Sequence, residues 1–215
     1  MSRILVFGGH GKVALLLERI LADRGDTVTA VIRNPAHEAD VAATGAAPVV
    51  FDVEAQDQDA LENLIVGNDA VVWSAGAGGG SRERTYAVDR DAAIRSMDAA
   101  AAAGVRRYVM VSWLGSRPDH GIPEDDPFFA YADAKAAADE HLRASGLDAT
   151  VLAPGTLTMD EGTGGIEIDP DGRGEVPRAD VAAVIAAALA DPGTIGRTIR
   201  FGGGATPIAE ALRTR

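Results

Sequence analysis

The chain has 215 residues, a formal net charge of −12 and no cysteine. This length suits one α/β domain with a core of its own. Nucleic acids and anionic membranes both select basic surfaces, so the acidic balance argues against either as a partner. Without cysteine there are no disulfides and no thiolate metal sites. Histidines and carboxylates nowhere have metal-ligand spacing, so no metal site is predicted.

The start of the chain lacks the apolar stretch and cleavage site of a signal peptide. The longest apolar run, residues 181–190, is too short to cross a bilayer. We therefore expect a cytoplasmic protein. The partner that we expect is a small-molecule substrate. The sequence does not predict an oligomeric state.

Short apolar segments alternate with helical patterns along most of the chain. Strands are predicted at residues 4–7, 27–32, 49–51, 70–73, 108–112 and 149–152. Helices are predicted between them at residues 12–24, 35–44, 57–66, 83–103 and 128–144. Elements that alternate in this way form βαβ units with right-handed crossovers. The predicted fold class is therefore α/β, a Rossmann-type doubly wound parallel sheet.

The alternation weakens after Pro154. Residues 162–174 read as a loop in which Ile166 and Ile168 suggest a short strand. A helix, a strand and a last helix are predicted at residues 178–190, 198–201 and 207–212. No linker or repeat divides the chain, so residues 1–215 are predicted to form one domain. Residues 154–215 would be a small C-terminal extension that completes the substrate side.

A glycine-rich turn lies between the first strand and the first helix. Gly8, Gly11 and Ala14 follow the pattern G-x-x-G-x-x-A. The first glycine permits a tight turn, the second lets the backbone approach a pyrophosphate, and the small third residue lets the helix sit close to the strand. Free N–H groups at a helix N-terminus attract phosphates. The turn residues predicted to bind a dinucleotide are Gly8, Gly9, His10, Gly11, Lys12 and Val13.

The end of the second strand indicates which dinucleotide binds. An NAD site normally has Asp or Glu there for the ribose 2′-hydroxyl, whereas residues 31–35 contain no carboxylate. Arg33 is a planar donor fork suited to a 2′-phosphate, and Lys12 adds charge nearby. The alternative is a solvated loop arginine. The sequence therefore predicts NADP(H) in preference to NAD(H).

Two further segments follow the third and fourth strands. Asp52 either contacts the adenine amino group or serves as a turn or cap residue, and Val53 is placed beside it in the cofactor site. Ala75, Gly76 and Ala77 follow the fourth strand, at the edge where such sheets bind ligands. These five residues are predicted to line the dinucleotide site.

Ser112, Tyr131 and Lys135 form a candidate proton-transfer site. Ser112 ends the fifth strand, after the cofactor-site candidate Val111, and Tyr131 and Lys135 share one helix face. The tyrosine pKa is ordinarily about 10. A neighbouring ammonium is expected to lower it. Ser112 would hold the substrate oxygen. The alternative is a half-buried tyrosine beside a solvated lysine.

Together these features resemble the short-chain dehydrogenase/reductase superfamily, most closely its atypical, NmrA-like and epimerase-like branch of NAD(P)H-binding proteins. Besides the turn, the likeness is carried by segments 69–72, 87–89, 104–109, 141–148, 154–157 and 178–182. It implies that Ser112 orients substrate, Tyr131 is the general acid/base and Lys135 binds the nicotinamide ribose. The residues that it places along the nicotinamide are Pro154, Gly155, Thr156 and Leu157.

The sequence departs from the superfamily at two positions. The usual asparagine of its catalytic tetrad is Asp89 here, which we keep as a candidate catalytic residue. An arginine that is frequent before the Pro-Gly pair is Ala153. The first departure puts the ordinary proton relay in question.

The leading hypothesis is an NADP(H)-dependent oxidoreductase that acts on a small carbonyl, alcohol or quinone-like substrate. One alternative is a catalytically silent NADP(H) sensor, since the NmrA-like branch includes proteins that bind cofactor without established catalysis. The other is a sugar epimerase or dehydratase. The short segment after Pro154 is small for a nucleotide-sugar pocket.

Overall fold

The computed structural model describes residues 1–79, 81–172 and 174–213, so residue 173 of the predicted loop lies outside it. The strands are β1 (Arg3–Phe7), β2 (Thr27–Ile32), β3 (Ala47–Val50), β4 (Ala70–Trp73), β5 (Arg107–Val111), β6 (Asp148–Pro154), β7 (Thr156–Thr158), β8 (Gly165–Ile168), β9 (Glu175–Pro177), β10 (Arg197–Gly203) and β11 (Thr206–Pro207). The helices are α1 (Lys12–Asp23), α2 (Glu38–Ala42), α3 (Gln58–Ile65), α4 (Arg82–Thr85), α5 (Ala93–Ala102), α6 (Phe129–Ala144), α7 (Arg178–Ala190) and α8 (Ile208–Ala211).

The main sheet has the order β11-β8-β10-β6-β5-β4-β1-β2-β3. From β3 to β10 every neighbouring pair is parallel, and β8 and β11 add an antiparallel edge. The strand order reverses between β1 and β4, which is the switch point where doubly wound sheets bind ligands. The predicted Rossmann-type fold is thus confirmed. A separate pair of strands, β7 and β9, lies beside it.

Helices cover both faces of the sheet because the strands are apolar on both sides. On one face, Leu17 of α1 and Ile185 of α7 are fully buried in one apolar cluster. On the other, Leu61 of α3, Met97 of α5 and Leu142 of α6 are buried in a second. Fully burying such a side chain contributes about 1.5–3 kcal/mol, so the two clusters hold the ligand edge in place. In the described parts of the chain, no helix combines the length and apolarity needed to span a membrane.

The predicted helix at residues 83–103 is divided in the structure. Between α4 and α5 the backbone forms a π-helix over Tyr86–Ala92. Such widened turns occur frequently at functional sites. This one holds Asp89, which is buried. The periodicity of an alanine-rich helix does not reveal a change from α to π hydrogen bonding.

Other differences are local. The predicted helix at residues 35–44 is a 3-10 turn, Pro35–His37, followed by α2, and the side chain of Asn34 caps the turn. The third strand begins two residues earlier than predicted. The strands β7, β9 and β11 were not predicted, because each has only two or three residues and pairs with a distant segment.

Candidate active site

The glycine turn is built to receive a ligand at the N-terminus of α1. Gly8 has φ +80°, and a Cβ there would lie 2.7 Å from the Cα of Ala75. The N–H of Gly11 donates to the carbonyl of Gly8 at 2.8 Å. No side chain caps the first turn of α1. The open N–H groups and the lack of side chains match what a pyrophosphate requires, so these residues fit a dinucleotide.

Three clefts adjoin this turn or the end of β5. The β2-side cleft, about 410 Å³, is lined among others by Gly8, His10, Gly11, Arg33, Asp52, Val53, Ala75, Gly76 and Ala77. The central cleft, about 610 Å³, is lined among others by Gly11, Lys12, Val13, Ala75, Gly76, Ala77, Asp89, Val111, Ser112, Tyr131, Lys135 and Leu157. The outer cleft, about 700 Å³, is lined among others by Ser112, Tyr131, Pro154, Gly155, Thr156 and Leu157.

Gly9 is the only candidate residue of the glycine turn that lines none of these three clefts. Its N–H donates to the carbonyl of Val31 at 2.9 Å. A Cβ on Gly9 would lie 2.7 Å from the Cβ of Ala30. The close packing of the turn on β2 therefore explains this glycine.

The end of β2 carries a cluster of charges that sequence analysis only partly identified. Arg33 lies 3.9 Å from Glu54, and Arg84 lies 3.3 Å from the same carboxylate oxygen. Arg84 also donates to the carbonyl of Ala77 at 2.6 Å. Lys12 lines the central cleft, which adjoins the β2-side cleft at Gly11. The β2-side cleft thus places two guanidinium groups around one carboxylate.

Asp52 and His10 both have partners within the protein. The carboxylate of Asp52 accepts from the N–H of Glu54 at 3.0 Å, which is the turn role that the sequence left open. His10 stacks on His37 with ring centroids 3.6 Å apart, and its Nε2 lies 2.9 Å from Asp40. Both residues also line the β2-side cleft.

The side chains of Ser112 and Ser116 meet on Asp139. The hydroxyl of Ser112 donates to Oδ2 of Asp139, and the hydroxyl of Ser116 donates to the same oxygen at 2.5 Å. Asp139 is fully buried on α6. The proton of Ser112 is therefore directed toward Asp139. The hydroxyl proton of Ser112 is thus used within the protein, whereas the sequence analysis gave this residue only the role of holding the substrate oxygen.

Lys135 is buried between two carboxylates. Its ammonium donates to the carbonyl of Val111 at 2.7 Å. Burial lowers the pKa of Lys135, while Asp139 and Asp89 oppose that shift. Burial likewise raises the pKa of Asp89, whose Oδ2 accepts from the N–H of Ala77 at 2.9 Å. Asp89 thus fixes the loop after β4 and faces the central cleft.

The pKa of Tyr131 is raised, so the expectation from the sequence that it would be lowered was wrong. Burial raises the pKa of this phenol, and the carboxylates of Asp89 and Asp139 raise it further. Tyr131 therefore keeps its proton at neutral pH.

The segment after β6 is held in place by a residue to which sequence reasoning gave no role. The N–H of Gly155 donates to the carbonyl of Phe201 at 2.9 Å. The guanidinium of Arg178 donates to the carbonyls of Leu157 and Thr158 at 3.0 and 2.8 Å. Arg178 also lines the central cleft. The sequence did not predict this role of Arg178, because every residue has a backbone carbonyl and the partners of Arg178 therefore have no characteristic residue type.

Asp139 also escaped sequence analysis, although a signal for it exists. Tyr131, Lys135 and Asp139 follow one another at spacings of four residues. That spacing places all three on one face of α6.

Along the described residues, no group of three or more His, Cys, Asp or Glu side chains is arranged to hold a metal ion.

Comparison with known proteins agrees with this architecture. Residues 8–192 match the model of the NAD(P)H-binding family. The chain is 34% identical to the Bacillus subtilis protein named uncharacterized sugar epimerase YhfK, over 98% of this chain and 99% of that one. A putative NAD-dependent epimerase/dehydratase from Bacillus halodurans has a TM-score of 0.91 and 33% identity, with 100% of both chains covered.

A second solved structure, the oxidoreductase ylbE from Lactococcus lactis, has a TM-score of 0.87 and 29% identity, covering 99% of this chain and 95% of that one. The resemblance found in the sequence is thereby confirmed. The family match spans the glycine turn, the loop after β4 and all of α6. This chain belongs to the NAD(P)H-binding family of Rossmann-fold proteins.

Proposed function

We propose that the protein is an NADP(H)-dependent oxidoreductase that acts on a small carbonyl, alcohol or quinone-like substrate. One observation carries the proposal: Ser112 and Tyr131 line both the central and the outer cleft. The central cleft also contains the glycine turn and Lys135, whereas the outer cleft does not. A protonated phenol at the boundary of two clefts is suited to give its proton to a substrate held beside a cofactor.

Residues of the central cleft would hold the cofactor, and Tyr131 would act on the substrate. The glycine turn would hold the pyrophosphate, and Lys135 the nicotinamide ribose. NADPH, when bound, supplies a hydride to the carbonyl carbon. Tyr131 would give its phenolic proton to the substrate oxygen, and its raised pKa ensures that the phenol carries that proton before the reaction. Asp89 keeps the loop after β4 in place through the N–H of Ala77.

The preference for NADP(H) rests on charge at the β2-side cleft. Among the described residues, Arg33 and Arg84 are the two cationic residues that line this cleft, and Glu54 and Asp52 are the carboxylates that line it with them. Both arginines carry guanidinium groups, which bind phosphate oxygens in a planar fork. A 2′-hydroxyl of NAD(H) would instead favour a carboxylate, and Glu54 is already paired with both arginines.

An epimerase or dehydratase is the second candidate. It is favoured by the names of the relatives from Bacillus subtilis and Bacillus halodurans. Such an enzyme returns the hydride to its substrate, so it would show no net oxidation of NADPH. Conversion of UDP-glucose without net cofactor turnover would favour this candidate over the oxidoreductase.

The test is the oxidation of NADPH, followed by absorbance, with 4-nitrobenzaldehyde and menadione as acceptors. Tyr131→Phe should lower turnover by about 10²–10⁴-fold, the usual contribution of a general acid. NADPH affinity should stay nearly constant. Tyr86→Phe is the matched control, because the Tyr86 ring contacts Arg90 on the π-helix. A parent protein that binds NADPH but turns over neither acceptor would support the sensor instead.

A further inference from the structure

The outer cleft has a composition that points to a class of substrate. It is the largest of the three clefts, at about 700 Å³. Trp113, Phe128 and Tyr131 form a series along it, with Trp113 and Phe128 centroids 5.0 Å apart at 87°, and Phe128 and Tyr131 centroids 5.1 Å apart. Phe128 is 41% exposed. A large aromatic ring left open beside a catalytic candidate offers a surface for a flat apolar molecule.

The packing of Trp113 is specific. A Cβ on Gly115 would lie 2.1 Å from the indole ring, so only glycine lets the loop after β5 pass this closely. The indole Nε1 is buried and has no hydrogen-bond partner within the described structure. The loop thus holds Trp113 against the cleft despite an unsatisfied donor. Because the one polar atom of the indole is buried, the part of the ring that lines the cleft is apolar.

The residues that line the outer cleft include more cationic than anionic side chains, whereas the chain as a whole is acidic. Arg117 and Arg200 line it, together with His120. Asp126 is the one carboxylate among the described lining residues, and it accepts from the N–H of Phe128 at 2.7 Å. This local excess of cations stands in a chain with 32 acidic and 20 basic residues.

The two arginines are available to a ligand. Arg200 lies 3.5 Å from Asp169, and their side chains are 46% and 68% exposed. Arg117 lies 3.5 Å from Asp119, and their side chains are 52% and 94% exposed. Ion pairs this exposed are weak, so the carboxylate of a ligand can replace Asp169 beside Arg200, or Asp119 beside Arg117, at a low cost in free energy. Arg200 belongs to β10 of the main sheet, which holds it more firmly than the loop holds Arg117.

We infer that the outer cleft binds a substrate with a flat apolar ring system and one anionic group. The substrate would be an aromatic or conjugated carbonyl compound with a carboxylate that pairs with Arg200 and Arg117. The inference rests on the proposed function, because Tyr131 must face the reacting carbonyl. The ring would lie along Trp113 and Phe128, and the carboxylate would lie toward the arginines.

The test measures binding by calorimetry on the NADPH-saturated protein. The probes are 2-naphthoate, its neutral analogue 2-naphthamide, and acetate, which has the charge without the ring. Naphthoate should bind about ten-fold or more tightly than either, as expected for a charge-assisted contact added to ring burial. The preference over the amide should shrink at high salt, because the arginines are solvent-exposed.

Variants identify the contact. Arg200→Gln should reduce the preference for naphthoate over naphthamide to within about three-fold, and Arg117→Gln should reduce it less. Arg143→Gln on the exposed side of α6 is the control and should leave it unchanged. Equal binding of acid and amide, or an equal loss in the Arg143 variant, would overturn the inference. NADPH binding is titrated first, so its failure would be recognised as failure of the proposed function.

Discussion

The hydroxyl of Ser112 donates a hydrogen bond to the carboxylate of Asp139, which lies one helical turn beyond Lys135 on α6. The other oxygen, Oδ1, is buried and has no hydrogen-bond partner among the described residues. Asp139 therefore combines two tasks: it fixes the orientation of Ser112 and it offsets the buried charge of Lys135. The candidate tetrad is supported by a fifth residue from the same helix.

This relationship predicts coupling between the two residues. Asp139→Asn should destabilise the protein by about 1–3 kcal/mol, because a hydrogen-bonded buried charge is lost. Ser112→Ala should cost less, since Ser116 still donates to Asp139. The double variant should lose less than the sum of both, with a coupling energy of about 0.5–3 kcal/mol by urea unfolding. Pairing Ser112→Ala with Glu140→Gln, an exposed change on α6, should be additive. Additivity in the first cycle would contradict the assignment.

The cofactor preference is tested at the β2-side cleft. Arg33→Ala should weaken NADPH binding by about 2 kcal/mol and leave NADH nearly unchanged. Glu54→Gln should act in the opposite direction and strengthen NADPH, because it removes the carboxylate that pairs with both arginines. Calorimetric titration of both cofactors gives the comparison. Equal losses for NADPH and NADH in the Arg33 variant would refute this site for the 2′-phosphate.

The glycine turn predicts a graded loss of cofactor. A Cβ at Gly11 would lie 3.0 Å from the Gly8 carbonyl and would project where a pyrophosphate approaches the backbone. Gly11 has φ −65°, which any residue adopts, so the fold should survive. Gly11→Ala should weaken NADPH binding, and Gly11→Val should abolish it, while circular dichroism stays native. Normal binding by the valine variant would place the phosphates elsewhere.

The pH dependence of stability is predicted to involve Glu18 of α1. Burial raises the pKa of Glu18 from 4.5 to about 8, and Thr44 donates to its carboxylate at 3.0 Å. Because the folded protein favours the protonated form, this group stabilises the fold below pH 4.5, and the benefit is lost as the pH rises toward 8. Glu18→Gln should remove that loss and gain on the order of 3 kcal/mol relative to the parent at pH 8.

Urea unfolding at pH 5 and pH 8 measures the effect of Glu18. The parent should lose more stability between these values than the Glu18→Gln variant. Glu140→Gln, an exposed change, should follow the parent. Parallel pH profiles for the parent and the Glu18 variant would show that Glu18 ionises normally in the folded protein.

The geometry of the glycine turn was predictable because it depends on local backbone geometry. Gly8 and Gly11 lie in a strand, a turn and a helix that are contiguous in the chain, so their spacing alone predicts the turn. The shared helix face of Tyr131 and Lys135 likewise follows from helical spacing. The charge environment was not predictable. Glu54 contacts Arg33 from 21 residues away and Arg84 from 30 residues away, and the pKa of Tyr131 depends on which carboxylates fold around it.

By itself, the sequence determined the alternation of strands and helices, the glycine turn and the shared helix face of Tyr131 and Lys135, because each depends on neighbours within a few residues. The tertiary structure alone decided that Ser112 donates to Asp139, that the chain widens into a π-helix at Asp89, and that Tyr131 stays protonated. These follow from burial and from contacts between distant segments. Local periodicity carries no information about either, since desolvation is a property of the packed molecule.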